Sequence, residues 1–377
     1  MEAYLDNSAT TPLCREAVNR MNYALTSCWG NPSALHAGGI AASALLEEAR
    51  AAAAQKLSCE TDEIYFTSGG TESNNIAVFG AANALKRRGS RIIISSVEHS
   101  SIEEPVRQLE AQGFDVIRLR VDERGRIDER QLYAATNQST ILISIMYVNN
   151  EVGTIQPVEA ARRAIDRVGA NALVHCDAVQ AFGKIPVKPH KIGADLVTIS
   201  SHKIHGPKGA GALYIKKGTR IVPHSFGGGQ ENKLRPGTEP MPAIAGFGAA
   251  ISALPDANAA LAHVTELRDY LVSKVSAMEN TVINSPPDAL PYVTNISLPG
   301  IPSEVALNYL SGIGIYVSNG SACSKGHKSR VLKMMGLSEE RISGALRISM
   351  SRYTTKEEID YFLAGIAGAQ KNLRKKR

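Results

Sequence analysis

The chain has 377 residues, room for two domains at the usual size of roughly 100–200 residues each and enough to bury a core without disulfides or structural metal. Hydrophobic residues make up 44% and charged residues 21%, which excludes an intrinsically disordered chain. Lys plus Arg number 42 against 36 acidic residues, and the net +6 favours anionic ligands while falling far short of a nucleic-acid-binding composition, so no direct nucleic-acid contact is expected.

In chain order, the opening Met1-Glu-Ala-Tyr-Leu-Asp6 has no basic stretch followed by an apolar run, so no signal peptide is expected. No uncharged apolar run approaches the ~20 residues that span a bilayer, and no membrane association is expected. Cys14, Cys28, Cys59, Cys176 and Cys323 are odd in number, scattered, and without a Cys-x-x-Cys pair. That usage predicts a reduced, cytoplasmic protein with no disulfide framework and no metal site.

Short β-branched runs then alternate with helical patterns. Glu63–Thr67, Arg91–Ser95, Phe114–Leu119, Thr140–Ile145, Ala172–Cys176 and Asp195–Ile199 read as strands buried on both faces. Thr71–Arg88, Ser100–Gln112, Asp128–Ala135 and Pro157–Val168 read as helices between them, which predicts an α/β domain with a mostly parallel sheet. Ligands of such sheets lie beyond the carboxyl ends of the strands. From about residue 255 the pattern changes. A helix over Ala257–Met278, strands at Tyr292–Leu298, Ile315–Ser318 and Ala345–Ser349, a helix near Ser303–Leu310 and a last helix from Thr355 read as a smaller α+β unit. The division expected is a large domain over 15–255 and a small one formed by 1–14 and 256–377.

Three strand ends carry chemistry. Thr67-Ser-Gly-Gly-Thr-Glu-Ser73 opens a helix, and its glycines let successive N–H groups converge on an anion, although the segment also serves as a plain N-cap at Thr71. It matches neither the P-loop nor the Rossmann fingerprint. Asp177 closes an apolar strand, where a carboxylate needs a protonated ring nitrogen, an Arg or a metal as partner, or else caps a turn. Lys203 follows another apolar strand inside Ser200-Ser-His-Lys-Ile-His-Gly206, and a desolvated amine there suits imine formation with a carbonyl cofactor. A phosphate cradle, an acid for a ring nitrogen and a strand-end lysine together meet the demands of pyridoxal phosphate.

With these segments the chain resembles the cysteine desulfurases of the NifS/IscS type, within the class V aminotransferase group of fold-type I pyridoxal-phosphate enzymes. The resemblance runs from Leu5-Asp-Asn-Ser-Ala-Thr-Thr-Pro12 to Arg347 and the final helix, and is carried also by Glu98-His99, Val148–Gly153, His175–Gln180, Arg235–Thr238 and Ser318–Cys323. It implies a seven-stranded, mostly parallel sheet and a smaller C-terminal α+β domain bearing a catalytic cysteine loop. It further implies that Lys203 is the Schiff-base lysine, Asp177 the partner of the pyridine nitrogen, Gln180 a hydrogen-bond partner of the ring hydroxyl, and His99 a residue stacked on the ring that also moves protons. Gly70, Thr71, Ser200 and His202 would bind the phosphate, and Thr238 would reach the phosphate of the neighbouring subunit in a homodimer. Arg347, assisted by Asn150, would clamp the substrate carboxylate. Bland readings stand beside these: His99 as cap of the helix from Ser100, Asn149-Asn150 as a turn, and Arg347 as partner of a structural acid. Gly227-Gly-Gly229 is assigned no chemistry.

Cys323 sets the expected reaction. It lies in a polar Gly- and Ser-rich stretch with Lys325, His327 and Lys328 nearby, where positive charge favours the thiolate, whereas Cys176 sits in an apolar strand. The resemblance implies that L-cysteine is converted to L-alanine while its sulfur passes to Cys323 as a persulfide, then to an acceptor protein such as an iron–sulfur scaffold or a tRNA-thiolating enzyme. Ser201, His205 and Asn319 depart from common family residues without removing a functional group. Another class V enzyme, a selenocysteine lyase or an aminotransferase, would keep Lys203 and Asp177 without needing Cys323. A cofactor-free sulfur-transfer scaffold would need neither.

Overall fold

The computed structural model describes residues 1–319 and 328–373, so Cys323, its flanking glycines and the basic tail at 374–377 lie outside the described residues. Its centre is a seven-stranded sheet. In space the strands run Ile64–Thr67, Gly211–Ile215, Leu196–Ser200, Leu173–Asp177, Thr140–Met146, Arg91–Ser95 and Asp115–Leu119. All share one direction except Gly211–Ile215, which is antiparallel to both neighbours. The apolar runs form strands because both faces are covered: Ile92, Ile93, Ile94, Ile141, Leu142 and Ile143 are all fully buried. Each such side chain stabilises the fold by about 2 kcal/mol through the area it removes from water.

Between strands the helices start where their caps predict. Asp128 accepts from the Arg130 N–H at the head of Glu129–Ala135, and Gly169 ends Glu159–Val168 in the left-handed region. Besides the two five-residue helices Arg330–Met334 and Glu339–Ser343, three longer helices escape the pattern reading. Ala37–Leu57 is Ala-rich and offers no clean apolar stripe, and Met241–Ser252 is apolar nearly all round because it packs in the interior. Arg15–Thr26 sits against Met241–Ser252 and buries only Ala17 and Ala24 along its length. Among the described residues no single helix is long and apolar enough to cross a membrane.

The strand Gly211–Ile215 also escapes, since a Gly-rich turn introduces it. It forms a hairpin with Leu196–Ser200, closed by the Ser201 N–H to the Ala210 carbonyl at 3.1 Å, and the lysine segment sits in that hairpin's loop. Gly211 lies against Gly69 so tightly that a Cβ on it would stand 2.7 Å from the Gly69 Cα. The loop that opens helix Gly70–Leu85 and the lysine hairpin are thus packed backbone to backbone.

A second, antiparallel sheet orders Ala345–Ser349, Val293–Ser297 and Val282–Ile283. Near it Ala3–Tyr4 pairs in parallel with Ile315–Tyr316, and single bridges join Asp6 to Ser349 and Ser318 to Arg347. The N-terminal segment then crosses to the large sheet. Asn7 Nδ2 donates to the Ser349 carbonyl at 2.9 Å, whereas the Thr11 and Cys14 N–H groups each donate at 2.9 Å to the carbonyls of His202 and His205. Residues 5–14 therefore run as a strap from the small sheet to the lysine loop.

Candidate active site

A cavity of about 660 Å³ opens beyond the carboxyl ends of the parallel strands, as the topology requires. Its lining brings together Gly70, Thr71, His99, Asn150, Asp177, Gln180, Ser200, His202, Lys203 and Arg347. Thr238 is exposed and outside this lining, and Cys323 is outside the described residues.

The strand-end residues are held by hydrogen bonds to the neighbouring helix and to the strap. Asp177 Oδ1 accepts from the Val179 N–H at 3.0 Å, and its Oδ2 accepts from Asn74 Nδ2 at 2.8 Å. Each carboxylate oxygen keeps further acceptor capacity for a proton on a ring nitrogen. Asn74 was missed by the sequence reading. It is a buried polar residue in the first turns of helix Gly70–Leu85, on the side that faces the sheet-end Asp177. Lys203 Nζ donates to the carbonyls of Ser8 and Ala9, at 2.8 Å for the latter. These contacts aim the amine at the strap and leave it half-buried. Ser200 Oγ, buried at the end of its strand, makes no hydrogen bond. Such a hydroxyl costs free energy until an acceptor arrives.

His99 does what both readings ask. Its Nδ1 accepts the Ser101 N–H at 3.2 Å and so caps helix Ser100–Ala111, while the ring lines the cavity. A capping Nδ1 leaves the ring proton on Nε2. Burial lowers the His99 pKa, Asp177 partly offsets that, and the Lys203 charge lowers it further, so the ring is neutral. His202 is held down to about 4 by burial and by Lys203 and Lys208, and its Nδ1 lies 3.2 Å from Thr10 Oγ1.

The far wall is assembled from distant segments. Arg347 is 1% exposed and already has a carboxylate: Nη2 donates to Asp6 Oδ1 at 2.7 Å, and Nη1 donates to the Asn150 backbone carbonyl at 3.2 Å. The reading of Arg347 as partner of a structural acid therefore holds in this state, and Asn150 contacts it through the main chain. Asn149 is a turn residue, its Oδ1 accepting from the Glu151 and Val152 N–H groups. Two buried acids complete the wall. Burial pushes Glu98 up to about 8, and its Oε2 has no partner. Burial likewise raises Glu151 to about 7, against a hydrogen bond from Ser329 Oγ and the Arg347 charge. Arg330 donates to the carbonyls of Ser96 and Glu98.

The residues present fit a phosphorylated, carbonyl-bearing ring cofactor. The start of helix Gly70–Leu85 and the orphaned Ser200 hydroxyl face one cavity, together with an amine, a ring-facing carboxylate and a neutral imidazole. Among the described residues there is no group of His, Cys, Asp and Glu that would hold a metal ion.

Comparison with known proteins agrees. The family described as Aminotransferase class-V matches residues 3–362. A cysteine desulfurase IscS from Dictyoglomus turgidum is 43% identical over 96% of this chain and 93% of its own length. Another from Methanosarcina thermophila is 41% identical over 98% and 92%. A solved NifS-like protein superposes with a TM-score of 0.93 at 39% identity, covering 98% of this chain and all of the other. The chain belongs to the class V aminotransferases and, among them, to the cysteine desulfurases of the NifS/IscS type, which are pyridoxal-phosphate-dependent enzymes.

Proposed function

We propose that the cavity binds pyridoxal phosphate and L-cysteine side by side and passes the cysteine sulfur to Cys323. The observation that carries this is the convergence of Lys203, Asp177, Ser200 and the Gly70–Thr71 helix start on one cavity whose opposite wall presents Arg347. Gly70, Thr71, Ser200 and His202 would hold the phosphate, His99 and Asp177 the ring, and Gln180 the ring oxygen. Bound there, the cofactor supplies an electron sink for the pair left when the substrate Cα proton departs.

This chain's own residues supply the rest. Lys203 Nζ is the base for the Cα proton, and the Ser8 and Ala9 carbonyls fix where that nitrogen sits. Asp177, oriented by Asn74 and the Val179 N–H, keeps a proton on the ring nitrogen. His99 carries its proton on Nε2 and is a donor on the cavity side. Arg347 binds the substrate carboxylate, with Asp6 as its resident counter-ion. The Cys323 thiolate attacks the substrate sulfur. An S–S bond forms, the Cβ–S bond breaks, and its electron pair stays with the carbon skeleton that leaves as L-alanine, so no external oxidant is consumed.

A second copy of the chain completes the assembly. Trp29, Leu35 and Phe226 are 78%, 96% and 88% exposed, which makes them candidates for burial against a second copy. A homodimer would cover them and give the exposed Thr238 a phosphate to reach. The persulfide then goes to an iron–sulfur scaffold or a tRNA-thiolating protein in the cytosol. Mass spectrometry after incubation with pyridoxal phosphate and L-cysteine should find one added sulfur on Cys323 alone. Undiminished alanine formation by Cys323→Ala, or sulfur on another thiol, rejects the transfer. A monomer by light scattering rejects the dimer.

A further inference from the structure

Lys184 is buried beside the site and takes no part in the chemistry above. Its Nζ donates to Gln180 Oε1 at 2.9 Å and stands 5.7 Å from the centre of the Tyr292 ring. Among the described residues no carboxylate lies within ion-pair distance of it. A buried ammonium without a counter-ion is costly, and burial together with the Lys203 and Arg347 charges lowers its pKa to about 7.

The hydrogen bonds around Gln180 show what the charge does. An amide can be flipped end for end, and only its partners determine which end is which. The Ser8 carbonyl only accepts, taking one Nε2 hydrogen at 3.0 Å, and Lys184 in its ammonium form only donates, so Oε1 faces it. The other Nε2 hydrogen is the donor Gln180 has left. The same Ser8 carbonyl also accepts from Lys203, so one chain of contacts runs Lys184, Gln180, Ser8, Lys203. An anionic ring oxygen beside Gln180 needs a donor there, and a flipped amide would offer an acceptor.

We propose that Lys184 is a positioning residue for the cofactor: by holding Gln180 Oε1 it commits the amide to offer Nε2–H to the ring oxygen. The proposal rests on the reading of the cavity as the pyridoxal-phosphate site. It carries a signature that a structural lysine lacks, because removing it relieves an uncompensated charge while weakening the ligand.

The test is a double-mutant cycle on the apo-protein, titrated with pyridoxal phosphate, with thermal unfolding measured alongside. Methionine matches lysine in length and carries no donor. Lys184→Met should melt no lower than wild type and bind pyridoxal phosphate about tenfold more weakly, the loss of one hydrogen bond to a charged group. In a Gln180→Ala background the same substitution should change affinity by less than about twofold, since coupled residues share one effect. Three results overturn the proposal. A Lys184→Met protein that melts lower or fails to fold makes the lysine structural. An undiminished affinity loss in the Gln180→Ala background makes it act independently of the amide. Equal affinity of wild type and Gln180→Ala takes the amide off the ring oxygen and the proposal with it, while the cofactor reading itself falls only if the wild-type apo-protein takes up no pyridoxal phosphate.

Discussion

The two walls of the cavity are built on different principles. On the strand-end wall Asp177, Ser200, Lys203 and the Gly70 helix start stand where three strands end, with Lys203 in the loop of the hairpin. Their polar atoms are held by hydrogen bonds, Asp177 accepting from Asn74 and Lys203 donating to the Ser8 and Ala9 carbonyls, or, like Ser200 Oγ, left waiting. On the opposite wall polar contacts centre on charged side chains and tie the strap and the small sheet to the large one: Asp6 with Arg347, Asn7 with Ser349, Glu151 with Ser329 and Arg330 with Glu98. The first wall stores binding capacity at little cost to the fold. The second wall holds the small sheet, the strap and the large sheet together, so substitutions there should act on stability as well as on the reaction.

The sharpest way to break this contrast is at Lys203. Lys203→Ala should lower alanine formation about 1000-fold while leaving apo-protein stability within about 0.5 kcal/mol of wild type, read by steady-state assay and urea unfolding. A large stability loss would show that the strand-end wall is structural after all. On the far wall, Arg347→Ala strands the Asp6 carboxylate and should cost about 2 kcal/mol of stability, less than a fully buried pair because Asp6 keeps some contact with water, and should raise KM for cysteine. An unchanged urea midpoint would argue against the strap being held there.

Glu98 sharpens the contrast through pH. Its folded carboxyl titrates near 8 against an ordinary 4.5, so between these values the folded chain holds a proton that the unfolded chain has released. Stability therefore falls as pH rises through that window and levels off above it. Glu98→Gln should match wild type near pH 4.5 and exceed it at pH 9, as judged by urea unfolding at both values. Equal differences at both pH values would mean that Glu98 is not held protonated. The smallest effect belongs to Ser200→Ala. It removes an unbonded hydroxyl, so the apo-protein should be unchanged or slightly more stable, with affinity for pyridoxal phosphate about threefold weaker by absorbance titration.

The same division explains what was legible in the sequence. An apolar run followed by Asp177 or by Ser200–Lys203 states both the strand and its end locally, and the ten residues expected in the cavity from either wall do line it. The resemblance was needed to give them roles. The strand Gly211–Ile215 and the helices Arg15–Thr26, Ala37–Leu57 and Met241–Ser252 were not legible, because glycine, alanine and an apolar periphery blur the period that marks an element. The Asp6–Arg347 pair was out of reach for another reason. Its members are 341 positions apart, and only the strap's course along the small sheet makes them neighbours. Lys184 lies four residues from Gln180, yet the segment between them is irregular turn and presents no helical face to read.

The contact between Gly211 and Gly69 has a mechanical consequence. Because neither backbone can yield without the other, the anion-binding helix start and the amine-bearing hairpin are geared together like two teeth. The two anchorage points of a ligand held at both ends would keep a fixed separation while the rest of the cleft breathes. A single methyl group at position 211 should then misalign both anchorages at once, although it touches neither.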